Sequence, residues 1–297
     1  NKINQIFMSK KILITGATGS VAGLTIQSIL AKNKDVSLRA YVRNPEKASK
    51  LKELGIELVQ GDFENQDALN KAAEGMDAVF SLTIANPDAD KQGIAITTAA
   101  KHAGVKHIVR NSAIGAAADA PTENGKLHFA TDEDIKSSGL TYTIFRPHFF
   151  MQNLFFALQT IKEQGNMYWG MGDGKLGLVD VRDIADCYAE VLVNGGHENK
   201  IYTPTGPESI TFYDMAKVIS DSLGKTVNYV PVTPEAVYDA LKGMGADDFT
   251  ARLMKQYSIA YADNWGNFVN DDIETVTGHK ARSFKQFFDE VMIHALK

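Results

Sequence analysis

The stretch at residues 11–23, KILITGATGSVAG, constrains this chain more than any other, because it reads as a strand, a tight glycine turn and a helix in succession. Three apolar residues form the strand, and from Val21 onward the apolar positions recur at helical spacing. Such a turn lets a backbone approach a pyrophosphate closely and directs a helix N-terminus at its charge. We therefore expect a dinucleotide site here; an ordinary glycine-rich turn is the alternative.

The spacing of this motif predicts a structural role for each small residue. We expect Gly16 to form the tight turn, Gly19 to leave space for the phosphates, and Ala22 to pack closely against the strand. The pattern is Gly-x-x-Gly-x-x-Ala, and its place between a strand and a helix makes it informative. The phosphate-binding residues that it predicts are Gly16, Thr18, Gly19, Ser20 and Val21.

Strands and helices alternate from residue 11 to residue 145. This rhythm predicts an α/β fold of the Rossmann type, with a doubly wound parallel sheet covered by helices on both faces. Ligands of such sheets bind at the edge formed by the carboxyl ends of the strands. After Pro147 the rhythm loosens, and we expect a smaller, partly helical C-terminal lobe that closes over that edge. Within this region we expect Asp183 to cap a helix that starts at Ile184.

Composition excludes several functional classes. A net charge of −5 disfavours non-specific nucleic-acid binding, so we expect a small-molecule substrate as the partner. The single cysteine, Cys187, excludes an intrachain disulfide and a cysteine zinc site, and it suits a reducing cytoplasm. No apolar run reaches the roughly 18 residues that span a membrane. The histidines are scattered without metal-ligand spacing, so we predict no metal site, and the sequence leaves a homodimer open.

The end of the second predicted strand selects the dinucleotide. An NAD site places an acid there, whereas residues 41–44 contain none. Arg43 offers a planar fork suited to a 2′-phosphate, and Lys47 follows one helical turn later. We therefore predict NADP (NADPH) rather than NAD as the cofactor. A solvated basic helix start is the alternative, although two cations there oppose the helix dipole unless an anion is bound.

The ends of the next strands supply the remaining predicted cofactor contacts. We expect Asp62 to accept a hydrogen bond from the adenine amino group and Phe63 to lie against the adenine ring. Capping of the next turn by Asp62 is the alternative. The contacts expected at the nicotinamide end are Leu82, Thr83 and Asn111 along the ribose, and Pro147, Phe149 and Phe150 against the nicotinamide face.

Several motifs occur in an order that resembles the NmrA-like branch of the atypical short-chain dehydrogenase/reductases. They are TGATG at 15–19, VRNPEK at 42–47, GD at 61–62, KHIV at 106–109, SGLTYTIFRP at 138–147, FFMQN at 149–153 and VDVRDIA at 179–185. The likeness covers nearly everything after Met8. That branch includes NAD(P)H-dependent quinone, azo-dye and triphenylmethane-dye reductases, and also regulators that bind NADP without turnover. The resemblance implies the fold and the dinucleotide and leaves the activity open.

The predicted division of the chain follows from the fold and the cofactor together. Residues 8–150 are expected to form the NADP-binding Rossmann domain. Residues 151–297 are expected to be a mixed region that returns to the sheet and forms the substrate lobe. Residues 1–7 precede Met8 and look like a remnant of cloning, so we expect them not to contribute to the fold.

The helix between the fifth and sixth predicted strands lacks the tyrosine of the Tyr-x-x-x-Lys acid of ordinary short-chain dehydrogenases. It carries His128 and Asp132 instead, four residues apart and hence on one face. We predict His128 as a proton donor whose charge is supported by Asp132, with simple packing as the alternative. The resemblance implies a histidine at this position, either at the nicotinamide or just behind the residues that contact it. Ser112 is the second catalytic candidate, as a hydroxyl at the cofactor.

The missing tyrosine favours acceptors that spread the new charge over a conjugated system, because these take a proton from water. We expect an NADPH-dependent reductase that transfers hydride to a small electron-poor aromatic, quinone-like or azo acceptor. A redox sensor that binds NADP without turnover, and a carbonyl or imine reductase with an unconventional acid, are the alternatives. The side chains predicted to line a flat acceptor site, or else to be plain core, are Phe149, Phe150, Met151, Tyr168 and Trp169.

Overall fold

A computed structural model of the chain describes residues 9–33 and 35–296, so the remnant predicted at residues 1–7 lies outside the described residues. The strands are β1 Lys11–Ile14, β2 Ser37–Val42, β3 Glu57–Gln60, β4 Ala78–Ser81, β5 His107–Asn111, β6 Thr141–Phe145, β7 Asn166–Trp169, β8 Lys200–Tyr202 and β9 Asn228–Pro231. The helices are α1 Ser20–Lys32, α2 Ser49–Glu53, α3 Gln66–Ala73, α4 Ala89–His102, α5 Glu123–Ser137, α6 Leu158–Gln164, α7 Val181–Asn194, α8 Phe212–Leu223, α9 Pro234–Gly243, α10 Asp248–Ala262, α11 Asp272–Thr277, α12 Phe284–Phe287 and α13 Ile293–Leu296. Among these helices, none is both long enough and apolar enough to cross a bilayer.

Seven strands form one parallel sheet in the order β3-β2-β1-β4-β5-β6-β8. The direction of winding reverses between β1 and β4, and this switch point is where ligands of such sheets bind. Every residue of β4 and β5 is buried, as expected for central strands covered on both faces. The predicted doubly wound α/β fold of the Rossmann type is confirmed.

The two faces of the sheet have separate apolar cores. On one face, α1 and α7 pack against β1 and β4, with Ile26 and Tyr188 fully buried. On the other face, α3, α4 and α5 bury side chains such as Leu69, Ile96 and Ile135. Burial of each such side chain contributes about 1.5–3 kcal/mol. The result is a rigid sheet whose carboxyl edge positions the loops described below.

After β6 the chain builds a second, partly helical lobe and also returns to the sheet. A 3₁₀ turn at Met151–Ala157 leads to α6, and β7 pairs with β9 as a separate parallel ribbon. Their core includes Phe212, Tyr261 and Phe284, all fully buried. α7 and β8, in contrast, complete the large sheet. The predicted boundary at residue 150 stays a prediction.

The start of α7 differs from the sequence prediction. The helix begins at Val181, and its N-cap is Asp180, whose carboxylate accepts a hydrogen bond from the Arg182 amide at 2.8 Å. Asp183 lies inside the first turn and is paired with Arg282 instead. The prediction that Asp183 caps the helix is therefore wrong, because the helix begins at Val181, three residues earlier than the pattern suggested.

Candidate functional site

The glycine turn between β1 and α1 is held against the end of β4. Gly16 adopts a φ of +61°, and a Cβ at this position would lie 3.0 Å from the Leu82 carbonyl oxygen. Both observations require glycine. The Thr15 hydroxyl donates to the Leu82 carbonyl at 2.9 Å and accepts from the Leu82 amide at 2.9 Å. This pair fixes the height of the turn above the sheet edge.

The N-terminus of α1 presents backbone donors to the space above the turn. Its N-cap is Gly19, which offers no side-chain cap, and the first turn contains no acidic residue. The amides of residues 20–22 have no protein acceptor among the described residues. Thr18 and Ser20 are exposed beside them, and Val21 is half-buried. Free amides at the positive end of a helix dipole form an anion site.

A cleft of about 350 Å³ lies in front of this turn, and we call it the glycine-turn cleft. Seven predicted cofactor residues line it: Gly16, Thr18, Gly19, Arg43, Asp62, Phe63 and Leu82. The main lining residues that sequence reasoning missed are Ala17, Tyr41, Val42, Gly61, Glu64, Ile84 and Gln92. The adjacency of β2, β1 and β4 brings these separate segments together.

Arg43 follows the last residue of β2 at the rim of the cleft. Its side chain is exposed and has no hydrogen-bond or ion-pair partner within the part of the chain that the structure describes. Lys47 is also exposed, on a 3₁₀ turn at Pro45–Ala48 that the Asn44 side chain caps. An unpaired guanidinium that lines the same cleft as the glycine turn fits a phosphorylated ribose.

The side of the cleft formed by the ends of β2 and β3 is built around Tyr41. Its hydroxyl donates to the Asp62 carbonyl at 2.6 Å, and its ring fills the space that a Cβ at Gly61 would need. Burial raises the pKa of Tyr41 to about 12, so the hydroxyl remains a donor. The Asp62 carboxylate accepts from the Glu64 and Asn65 amides at 3.1 and 3.0 Å. Asp62 therefore does cap the next turn, while still lining the cleft.

A second group of polar side chains lies beneath the ends of β4, β5 and β6. We call Arg110, Ser112, His128, Asp132 and Arg146 the buried polar network. Arg110 is fully buried, and its Nη2 donates to His128 Nδ1 at 3.1 Å. Burial lowers the pKa of Arg110 to about 10, so it stays charged at neutral pH. Its Nε has no hydrogen-bond partner among the described residues.

Asp132 is the anionic centre of this network. Its Oδ2 accepts from the Ser112 hydroxyl at 2.8 Å and from Arg146 Nε at 2.9 Å. Burial raises the pKa of Asp132, and the charges of Arg110 and Arg146 oppose that rise. Because Ser112 donates its only hydroxyl proton to Asp132, it presents lone pairs to any further partner.

His128 is paired with a cation and not with Asp132. Burial and the charges of Arg110 and Arg146 hold the pKa of His128 well below its usual value, so the ring is neutral at pH 7. The prediction that Asp132 supports a charged His128 is wrong, because the ring is neutral and its hydrogen bond goes to Arg110, while Asp132 Oδ2 binds Ser112 and Arg146. The catalytic roles of His128 and Ser112 stay predictions.

The predicted nicotinamide contacts are less accessible than the glycine-turn cleft. Thr83, Asn111 and Pro147 are buried at the strand ends, and the Asn111 side-chain oxygen accepts a hydrogen bond from the Tyr188 hydroxyl. Phe150 is half-buried against the core of the large sheet. None of these residues lines the glycine-turn cleft, so their contact with the nicotinamide stays a prediction.

The aromatic segment predicted to line an acceptor site is mostly core. Phe149, Met151 and Trp169 are buried in the core of the second lobe, where Phe149 packs edge-on against Trp169 with ring centres 6.1 Å apart. Tyr168 points to the opposite side of β7, and its hydroxyl donates to Gln164 at 2.8 Å. The alternation of side chains along β7 explains why neighbours in sequence do not share a surface.

The second lobe is attached to the first turn of α5 by three contacts from α10. Gln256 accepts a hydrogen bond from the Glu123 amide at 2.7 Å, and Asn124 donates to the Tyr257 hydroxyl at 3.0 Å. Arg252 pairs with Glu123 at 3.2 Å. Beyond α10, the Trp265 ring lies so close to Gly115 that a Cβ there would be 2.2 Å away. The lobe thus covers the loop after β5, as expected for a closing lobe.

Asp183, Asp186 and His279 approach one another on α7 and after α11, a grouping that sequence spacing did not indicate. Arg282 pairs with both carboxylates, and His279 Nε2 lies 3.2 Å from Asp186. The positive charge of Arg282 partly neutralises the two carboxylates. The group therefore acts as an ion-pair network that joins the C-terminal segment to α7.

Comparison with known proteins agrees with this geometry. A model of the NmrA-like family matches residues 8–291. An NAD(P)H azoreductase from Xenophilus azovorans is 36% identical over 277 residues, which are 93% of this chain and 96% of the relative. An NADPH-dependent quinone oxidoreductase of Escherichia coli, solved with NADPH, has a TM-score of 0.86 at 27% identity, covering 96% of this chain and 100% of that one. A Citrobacter sp. triphenylmethane reductase, complexed with NADP(H), has a TM-score of 0.85 at 29% identity, covering 94% and 99%. The chain belongs to the NmrA-like family.

Proposed function

We propose that this protein is an NADPH-dependent oxidoreductase that transfers hydride to a quinone-like or azo acceptor. The observation that carries the proposal is the unpaired Arg43 guanidinium at the same cleft as the glycine turn. A 2′-phosphate would satisfy both the charge and the fork geometry of that side chain. The similar azoreductase and quinone oxidoreductase named above support the same reaction class.

The residues of the glycine-turn cleft fit a dinucleotide. The turn from Gly16 to Gly19 and the α1 amides would hold the diphosphate, and Arg43 would hold the 2′-phosphate. Asp62 and Phe63 would face the adenine. NADPH supplies a hydride when bound, and with one proton from water it converts a quinone to a hydroquinone and leaves NADP⁺. The nicotinamide end would lie toward the buried polar network, at the carboxyl ends of β4 and β5.

The protonation states in that network favour the acceptor class. His128 is neutral, and the hydroxyl proton of Ser112 is engaged by Asp132. A neutral imidazole and a hydroxyl that already donates to Asp132 are both weak acids, so neither readily gives up a proton to an alkoxide as it forms. Quinones and azo compounds delocalise the incoming charge, so water can protonate them. A simple ketone or imine is therefore a less favourable acceptor than a quinone or azo dye.

The test is the oxidation of NADPH, followed by its absorbance, with a panel of quinones, azo dyes, ketones and imines. We expect turnover with quinones or azo dyes and much slower turnover with ketones. Tight NADP binding without turnover of any acceptor would favour the alternative, a dinucleotide sensor that signals through a protein partner. Rapid ketone reduction would contradict the acceptor class.

Two glycine variants provide matched controls for the cofactor site. Gly16→Ala places a Cβ at a positive φ and 3.0 Å from a carbonyl oxygen, so NADPH binding and turnover should fall at least tenfold. Gly23→Ala adds a Cβ that meets nothing within 4 Å on α1, so it should leave both unchanged. Equal effects of the two changes would contradict the placement of the cofactor.

A cytoplasmic location and a homodimer are finer proposals. The single buried cysteine is compatible with a reducing compartment. Light scattering of the purified protein would distinguish a monomer of 32.5 kDa from a dimer.

A further inference from the structure

We propose that Arg110 is a positioning residue that fixes His128 as an imidazole with its single proton on Nε2. That N–H then donates a hydrogen bond to the carbonyl oxygen or azo nitrogen of the electron acceptor. The identity of the acceptor rests on the proposed function, whereas the position of the ring proton is a property of the chain alone.

The position of the proton follows from the chemistry of the pair. A guanidinium has only N–H donors, and Arg110 Nη2 lies 3.1 Å from His128 Nδ1. Nδ1 must therefore offer its lone pair to Arg110. A neutral imidazole carries one proton, so that proton is on Nε2. Arg110 is itself held in place, because its Nη1 lies 3.3 Å from Ser81 Oγ and 3.4 Å from Thr83 Oγ1.

The surrounding charges keep the ring uncharged. Arg110 faces it from β5, Arg146 approaches from the end of β6, and Asp132 lies one turn further along α5. Ser112 and Arg146 bind Asp132 Oδ2, and Asp132 Oδ1 has no hydrogen-bond partner among the described residues, so the carboxylate provides no direct partner for a second proton on His128. A protonated ring would place two cations at hydrogen-bond distance, consistent with the lowered pKa of His128.

The Nε2–H group is available to a ligand. Among the described residues it has no hydrogen-bond partner, and His128 keeps 5% of its surface exposed while Arg110 and Asp132 keep none. Arg110 is fully buried, so it acts on a ligand through its neighbours, of which His128 is the one with a free N–H donor. Thr83 contacts Arg110 and lies just after β4, at the carboxyl edge of the sheet where the nicotinamide is expected.

His148 shows what a purely structural histidine looks like in this protein. Its Nδ1 accepts from the Phe149 amide at 2.7 Å, and its Nε2 donates to the Gly266 carbonyl at 2.8 Å. Both nitrogens are thus used by the backbone, and no donor is left. His128 differs because only one nitrogen is used, and its partner is a side chain.

The test is a two-bond ¹H–¹⁵N correlation spectrum of the protein labelled at its seven histidines, recorded from pH 8 to pH 5. The signal of His128 is assigned by its loss in His128→Gln. We expect Nε2 to be protonated and Nδ1 unprotonated throughout, with and without NADP⁺. A proton on Nδ1, or titration of the ring near pH 6.5, would overturn the inference whatever the protein reduces.

Variants at Arg110 test the cause. Arg110→Lys retains a donor and should keep the Nε2–H form, whereas Arg110→Met removes it and should give a mixture of both forms. An unchanged spectrum in Arg110→Met would overturn the role of Arg110. The wild-type spectrum and Arg110→Lys still decide the question if Arg110→Met does not fold, because a Nδ1–H signal in either contradicts the assignment.

Kinetics test the bond to the acceptor separately. His128→Leu removes the donor and should lower kcat for a quinone about tenfold, with the Kd for NADPH unchanged. A kcat equal to wild type would overturn the donor role while leaving the protonation state established. If no acceptor is turned over although the spectrum shows Nε2–H, the proposed function fails and the role of Arg110 stands.

Discussion

The glycine-turn cleft and the buried polar network lie on the same edge of one sheet, but they treat polar groups in opposite ways. In the cleft, the α1 amides and the Arg43 guanidinium lack acceptors among the described residues and face solvent. In the network, Asp132 binds Ser112 and Arg146, and Arg110 binds His128, with Arg110 and Asp132 fully buried. The cleft thus leaves its charged and polar donors exposed to a ligand, whereas the network pairs most of its charged groups with one another inside the protein. Changes in the first region should therefore alter binding, and changes in the second should alter stability.

The largest effect is expected in the network. Asp132→Asn removes the anion that Arg146 and Ser112 bind, so the free energy of unfolding should fall by about 3 kcal/mol. Urea denaturation measures it. The neighbouring Glu133→Gln affects only an exposed pair with Lys136 and should change stability by less than about 0.5 kcal/mol. Similar losses in both variants would break the contrast between buried and exposed charge.

Arg43→Ala tests the cleft. Loss of charge-assisted hydrogen bonds should weaken NADPH binding by about 1.5–3 kcal/mol. NADH binding and the free energy of unfolding should barely change, because the Arg43 side chain has no partner among the described residues. Calorimetric titration with both nucleotides decides the matter. Equal weakening of NADPH and NADH would remove the 2′-phosphate assignment.

His148→Gln extends the contrast to pH. Burial lowers the pKa of His148 to about 4 in the folded protein, whereas in the unfolded chain it is about 6.5. Between these two pH values the unfolded chain binds a proton at His148 and the folded protein does not, so acid favours unfolding. This part of the stability is present above pH 6.5 and is lost as pH falls toward 4. The variant should remove about 2 kcal/mol of the loss between pH 7 and pH 5. If the free energy of unfolding fell equally between pH 7 and pH 5 in wild type and variant, His148 would not be the source of the pH dependence.

The smallest effect is expected for Lys47→Ala. Lys47 is exposed and does not line the glycine-turn cleft, so its loss should weaken NADPH by less than about 1 kcal/mol. Titration at two salt concentrations provides the measurement. A loss as large as that of Arg43→Ala would extend the phosphate site along the 3₁₀ turn.

The sequence predicted the cleft better than the network for a physical reason. Gly16 and Gly19 act through local backbone geometry, and Arg43 simply follows a strand, so their neighbours in sequence are enough to place them. The fold class could be predicted for the same reason, because each strand and helix has its own local pattern of apolar residues. The structure also shows Tyr41 and Gly61 together, which only the pairing of β2 with β3 could reveal.

Pairings between distant segments were beyond such reasoning. The spacing of His128 and Asp132 is typical of a helical pair, yet each turns to a partner on another element. Trp169 and Phe149 are aromatic in a stretch that suggested a binding wall, and packing of the second lobe instead makes them core. Aromatic and polar side chains of the same kinds occur in protein cores and in ligand sites, and local sequence alone does not show which of the two a given side chain belongs to.

The docking of α10 on α5 has a consequence for attempts to exchange acceptor preference between relatives. The first turn of α5 obtains part of its hydrogen bonding from Gln256 and Tyr257, and His128 lies on the next turn of the same helix. A chimera that grafts a foreign C-terminal half would lose these complementary contacts unless Glu123 and Asn124 were transplanted with it. A chimera should therefore exchange the C-terminal half together with the first turn of α5.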